Sequence, residues 1–375
     1  MLKWSEDDVE MQAQWQSESG SKPPHRVLVA DDRINADSAV RMACEGTALL
    51  WRGDFQNARM LLQALTRRLD RFSGKSAKKT AALQLTLSAA FHRHRQGMAQ
   101  RAHSLGMLLI PFESDYVIPL RRAPDVALAC AQAWGVRDQP CVASLRELQG
   151  VIGGFEWRRK GVPVSALGAN IYPYYGVFAP IRSEYVHLVA SAPLPKVDVA
   201  FDIGTGTGVL AAILAKKGMA TVIATENDQR ALECAQDNIE RLGLTAQVEV
   251  VSADLFPAGK AGLIVCNPPW IPAQPSAPIE RAIYDADGRM LKGFLTGLSN
   301  HLEPDGEGWL ILSDIAEHLG LRSRAELLLD IKNAGLVVLG RNQIRPSHPK
   351  VRNVNDPLHT ARSLEITSLW RLGIA

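Results

Sequence analysis

One stretch limits the possible folds more than any other: residues 197–208, VDVAFDIGTGTG. An apolar run ends at Asp202, and Gly204, Gly206 and Gly208 follow at alternate positions before a helical run, VLAAILAKKG. The apolar run is continuous rather than alternating, which predicts a strand buried on both faces, as in a parallel sheet. A tight turn into a helix needs glycine where φ is positive and where a ligand approaches bare backbone. The next apolar run, TVIATE, ends in Glu226. An acid roughly 20 residues past the turn is where a nucleoside-binding unit places the partner of a ribose.

The rest of the chain continues this rhythm. Strands are expected at about 197–203, 221–226, 247–253, 262–267, 307–313, 336–343 and 363–371, with helices at about 207–217, 228–242, 287–301 and 321–334. Alternation of this kind predicts a doubly wound α/β sheet, mostly parallel, with helices on both faces. The last two strands are expected with no helix between them, hence as an antiparallel pair. Their connection, residues 345–363, is long for a compact domain, and long ordered loops are usually functional. It is a candidate substrate lip.

Residues 1–150 read differently. The first 35 look like a mobile leader with a Gly/Ser/Pro hinge, SGSKPPH, and a short apolar run, VLVA. Asp37-Ser38 are placed to cap a helix over AVRMACEGTALLWRG. Ala58, Leu61, Leu62, Leu65 and Leu69 recur at helical spacing within 55–72, and 76–105 is a second helical stretch. Short strands are possible within 107–120, and 124–134 and 142–152 are expected to be helical. The organisation expected is a mainly helical accessory domain over 1–150 and a linker with an aromatic hairpin over 151–195, opened by Gly153-Gly154. The α/β domain follows over 196–375.

Charge divides the chain further. Between residues 51 and 103 stand eleven Lys/Arg against Asp54 and Asp70, a net +9, while the whole chain carries only +3. Such a stretch, 52–101, is either a solvated cationic face or a track for RNA phosphates. Five scattered cysteines with no Cys-x-x-Cys predict a reducing compartment, without a disulfide framework or a zinc site. The acidic, polar start MLKWSEDDVEMQ is no secretory signal, and the apolar runs are too short to span a membrane. A cytoplasmic protein is expected.

The second landmark is Asn267-Pro268-Pro269-Trp270, at the end of the fourth strand. Together with Asp-x-Gly-x-Gly-x-Gly it resembles the class I S-adenosylmethionine-dependent methyltransferases, specifically the methyltransferase small-domain group and its HemK-like N-methyltransferases. The likeness covers the last 215 residues or so. Residues 158–189 resemble the HemK lead-in through Gly161, Pro163, Gly168, Phe178, Pro180 and Glu184, although APIRSEYV lacks that family's Pro-Arg-Pro. The resemblance implies a cofactor site formed by Asp202, Gly204, Thr205, Gly206, Gly208, Glu226, Asn227, Asp254, Leu255 and Asn267. It gives Asp202 the amino-acid end of S-adenosylmethionine, directly or through water, Glu226 the ribose hydroxyls, and Asp254 with the Leu255 amide the adenine. No metal is implied.

The tetrapeptide suits a planar NH₂. The lone pair of an amide or aromatic amine is delocalised, so the nitrogen must be held while it pyramidalises. The Asn267 oxygen and the Pro268 carbonyl are acceptors that would take the two N–H groups. The two prolines fix the backbone, and Trp270 offers a stacking plane. No general base stands out, and none is needed if the proton leaves after transfer. The extension Ile271-Pro272 makes NPPWIP, which resembles the HemK-like pattern NPPYIP with tryptophan in place of tyrosine, and that resemblance implies a glutamine amide in a protein of the translation apparatus. The basic stretch favours the alternative, an adenine N6 or guanine N2 of RNA or DNA. A third reading is a non-catalytic module that binds cofactor or RNA.

Overall fold

In the computed structural model, residues 1–81, 85–275, 278–347, 353–354 and 356–375 are described, the side chains of 72–81 and 278–279 excepted. The chain divides into two units, Met1–Glu156 and Trp157–Ala375.

The first unit contains β1 (Leu2–Glu6), β2 (Val9–Gln16), β3 (Arg26–Ala30), α1 (Ala36–Cys44), β4 (Thr47–Trp51), α2 (Phe55–Ala81), α3 (Leu87–Leu105), β5 (Leu108–Phe112), α4 (Ala127–Trp134), β6 (Cys141–Ser144) and the start of α5 (Leu145–Lys160). The helices expected here are present, but they accompany a six-stranded mixed sheet of order β1-β2-β6-β5-β4-β3. The mobile leader is a correction: residues 2–16 form a hairpin in which Leu2 pairs with Ala13 and Glu6 with Val9. Its two-residue turn is Asp7-Asp8, at φ 51° and 62°, the positive values that match the twist of a hairpin. Leu2 and Trp4 face the core while Lys3 and Ser5 face solvent. The helix expected to run through TALLW stops at Cys44. Its cap is Asn35, whose Oδ1 accepts from the Ser38 amide at 2.9 Å, and TALLW is strand β4. Gly153 and Gly154 lie inside α5 and open no linker.

The second unit begins with the small hairpin of β7 (Val162–Val164) and β8 (Ala169–Ile171), followed by α6 (Glu184–Ser191). Then come β9 (Val199–Ile203), α7 (Val209–Lys216), β10 (Thr221–Glu226), α8 (Gln229–Arg241), β11 (Val248–Ser252) and β12 (Ala261–Cys266). The chain ends with α9 (Arg289–His301), β13 (Leu302–Ser313), α10 (Ile315–His318), α11 (Arg324–Asn333), β14 (Leu336–Ile344), α12 (His359–Leu364) and β15 (Thr367–Ile374). The seven strands are ordered β11-β10-β9-β12-β13-β15-β14, and β15 runs against the direction of the other six. The expected antiparallel end is therefore present, although the connection to β15 contains the short α12 rather than no helix.

Successive strand residues feed opposite cores, which is why these strands read as continuous apolar runs. Ala200, Val222 and Val265 pack with α6 and α7 on one face. Phe201, Ile264 and Leu310 pack with α9 and α11 on the other. Parallel strands all end at the same edge, so the turns after β9, β10, β11 and β12 are gathered there.

Candidate active site

At that edge the chain leaves β9 through Gly204, Gly206 and Gly208, at φ 68°, 60° and 80°. A Cβ on Gly204 would meet only the flexible end of the Met290 side chain, so it is the positive φ that calls for glycine here. Asp202 lies beneath the turn, only 1% exposed. Its Oδ2 accepts from Thr205 Oγ1 at 2.6 Å and from the Ala211 amide at 3.0 Å. It thus ties the turn to the first turn of α7. Burial pushes its carboxyl up to about 6, opposed by the Thr205 and Ala211 hydrogen bonds and assisted by Glu226.

That shift carries a stability prediction. Between the unfolded value near 3.8 and the folded value of about 6, the folded chain holds a proton that the unfolded chain releases. Its stabilising contribution is therefore fully present below the lower value and is lost as pH rises through the upper one, at up to about 1.4 kcal/mol per pH unit. In denaturant titrations from pH 4 to 6.5, Asp202→Asn is expected to flatten this decline; an unchanged slope would assign it to other groups.

Glu226 ends β10 and faces the same turn. Its Oε2 accepts from the Gly206 amide at 3.0 Å, and its Oε1 from the amides of Asn227 at 2.9 Å and Asp228 at 3.2 Å. Asn227 reaches across to Asp254 at 3.4 Å, beyond the end of β11. Asp254 also receives Arg289 at 2.7 Å, in an exposed pair. Leu255 adopts φ 72°, and its carbonyl accepts from the buried Thr225 hydroxyl at 2.6 Å, which fixes this left-handed corner. The register pairs Cys266 with Ile203, so Asn267 leaves β12 beside Gly204 on the neighbouring strand. Asn267 Oδ1 accepts from the indole Nε1 of Trp270 at 2.9 Å.

The sequence-predicted residues thus gather along four adjacent strand ends. Asp202 is buried beneath the turn, and its Oδ2 accepts from Thr205 and Ala211. Three contributors were not anticipated. Arg289 joins the Asp254 side; Asp285 accepts from the amides of Met290 and Leu291 and so starts α9; Arg182 stands over Trp270, 5.7 Å from ring centroid to Cζ. A carboxylate just before an apolar-periodic helix is a readable start signal, so Asp285 was within reach.

The surroundings fit the donor that the resemblance implies. A Cβ on Gly206 would meet nothing within 4 Å, so bare backbone is open there, beside a partly buried, acceptor-only carboxylate at Glu226. Burial pushes the Cys266 thiol well above its ordinary range and Cys234 to about 12, so neither is poised as a nucleophile. Among the described residues no His, Cys, Asp and Glu are gathered as a metal ion would need, and no helix is long and apolar enough to cross a membrane.

The chain is similar to known methyltransferases. A model of the methyltransferase small domain matches residues 186–323. The chain is 32% identical over 168 residues to a tRNA1(Val) (adenine(37)-N6)-methyltransferase of Bacteroides fragilis, covering 40% of this chain and 71% of that protein. It is 31% identical over 155 residues to a ribosomal protein L11 methyltransferase of Sorangium cellulosum, covering 41% of each. A solved S-adenosylmethionine-dependent methyltransferase from Thiobacillus denitrificans, in complex with S-adenosyl-L-homocysteine, superposes with a TM-score of 0.37 at 16% identity over 53% of this chain and 92% of that one. With the glycine turn intact and a relative matched over more than two thirds of its length, the chain belongs to the methyltransferase small-domain family of class I methyltransferases, with S-adenosylmethionine as its methyl donor.

Proposed function

We propose that this chain methylates the exocyclic amino group of a nucleic-acid base, an adenine N6 of an RNA. The observation that carries the reading is the relative named for tRNA adenine N6; the strand register, which brings Asn267 beside the glycine turn, is compatible with it. The glutamine amide favoured by Ile271-Pro272 has less support. A protein acceptor remains the second reading because two relatives are named for a ribosomal protein.

S-adenosylmethionine supplies a methyl group already activated on a sulfonium. Glu226 would hold the ribose hydroxyls, Asp254 and the Leu255 amide the adenine, and the Gly204–Gly208 backbone the methionine portion. Asn267 Oδ1 and the Pro268 carbonyl would accept the two N–H groups of the base. That arrangement aims fixed dipoles at the positive charge that develops on nitrogen. The methylated nitrogen is then cationic and acidic, so its proton leaves to water without a side-chain base.

The first unit adds support for an RNA partner. Arg59, Arg67 and Arg71 are exposed along one stripe of α2, and α3 carries no acid. The cationic stretch is nonetheless weaker than its sequence count. Arg52, Arg68 and Arg101 are paired with Glu6, Asp37 and Asp70, while the side chains of Lys75, Lys78 and Lys79 lie outside the described residues. Near the proposed lip, Arg341 stacks 4.4 Å from the Trp370 ring, and Lys350 and Arg352 lie outside the described residues. An RNA-modifying role also carries the expected cytoplasmic location with it.

The test uses isotope-labelled S-adenosylmethionine and extract from cells lacking this protein. Purified chain is added and the product is split between nuclease and protease. Label released by nuclease is expected; label released only by protease would transfer the assignment to the protein reading.

A further inference from the structure

Where the HemK-like pattern has tyrosine this chain has Trp270, and the stacking plane is only part of what the indole provides. Its Nε1 lies 2.9 Å from Asn267 Oδ1. An indole N–H donates and never accepts, so it stabilises one orientation of the Asn267 carboxamide, oxygen toward the ring, over the flipped one. A phenol ring has no N–H at that position. The oxygen keeps a second lone pair free for an incoming N–H.

The indole is itself held. Arg182 stands over its face at 5.7 Å, within the range of a cation–π contact. Arg182 cannot drift, because it lies between two carboxylates that are almost fully buried, Glu365 at 3% and Glu184 at 5% exposure. Its two terminal nitrogens reach Glu365 at 3.4 and 3.3 Å, and its Nε lies 3.5 Å from Glu184. Glu365 is anchored in turn by the Ser313 hydroxyl at 2.7 Å, at the end of β13. On its other sides Trp270 packs against both apolar cores of the sheet.

We infer that Trp270 is a positioning residue: its indole N–H, braced by Arg182 and Glu365, sets which end of the Asn267 carboxamide meets the acceptor NH₂. The inference rests on the reading of Asn267 as the acceptor-binding side chain. It separates two roles for one aromatic ring. A stacking platform strengthens acceptor binding and acts on KM. A brace for Asn267 acts on the transfer step, because an amide turned the wrong way presents a donor to the developing cation.

The experiment measures saturating transfer rate and KM with the full chain, using the cell fraction that takes up label in the partition assay. Trp270→Phe is expected to lower the saturating rate by about tenfold with KM changed by less than about twofold. Benzothienylalanine at 270, which keeps the ring shape and replaces N–H by sulfur, is expected to match the phenylalanine variant, so loss of packing is not the cause. In an Asn267→Asp background, where both oxygens are acceptors and no wrong end exists, the Trp270→Phe loss should shrink to about twofold or less. A full rate with benzothienylalanine would overturn the inference, as would a loss confined to KM. A wild-type rate for Asn267→Asp and Asn267→Ala alike would instead overturn the acceptor-site reading beneath it.

Discussion

Replacing Asn267 with alanine is expected to lower the rate of methyl transfer by about 10²–10³-fold while cofactor affinity stays within about twofold. The size follows from what the side chain supplies. Its carboxamide oxygen is a preorganised acceptor at the end of β12, directed by Trp270 and carried by a strand with no exposed residue. An acceptor that is fixed before the reaction stabilises charge on the acceptor nitrogen with little reorganisation. The alanine variant keeps the glycine turn, Glu226 and Asp254, so the donor's own contacts are preserved. Equilibrium titration with S-adenosyl-L-homocysteine and a single-turnover assay separate the two effects. A variant that transfers at the wild-type rate would remove Asn267 from the chemistry; one that loses cofactor binding instead would make it part of the donor site.

Glu226→Ala is expected to show the reverse division, with cofactor affinity falling by about 10²-fold. Its carboxylate accepts three backbone amides, those of Gly206, Asn227 and Asp228, and so closes the β10 corner against the glycine turn. Hydrogen bonds to a charged group are worth about 1.5–3 kcal/mol each in measured deletions. Losing the carboxylate removes the proposed ribose acceptor and also releases the Gly206 amide it restrains. Glu226→Gln tests charge separately: it keeps one acceptor oxygen but turns an NH₂ toward amides that already donate. Calorimetric affinity unchanged in both variants would refute the ribose role.

The chemistry-bearing half was legible because its signals are local. The run ending in Asp202, the glycines after it and Glu226 lie within one strand–helix–strand unit, and the alternation fixed the remaining elements to within a few residues at most ends. That Asp202 is buried, with its Oδ2 held by Thr205 and Ala211, is not readable from the sequence. The first unit was harder. All five residues of β4 and of β5 are buried, so neither alternates, and TALLW continued a helical run. The hairpin of β1 and β2 alternates at Leu2 and Trp4, but its polar composition is also that of a leader. The Arg182–Glu365 pair spans 183 positions. No local pattern reports a contact at that separation, and so the support behind Trp270 emerged only from the fold.

The most direct test of the central reading is nucleoside mass spectrometry. RNA from cells lacking this protein is incubated with the purified chain and S-adenosylmethionine, digested to nucleosides, and compared with a parallel reaction containing the Asn267→Ala variant. Appearance of N6-methyladenosine with the unaltered chain, and its near absence with the variant, is the expected result. RNA that gains no methylated base, while a protein in the same extract gains a methylated glutamine, would contradict it.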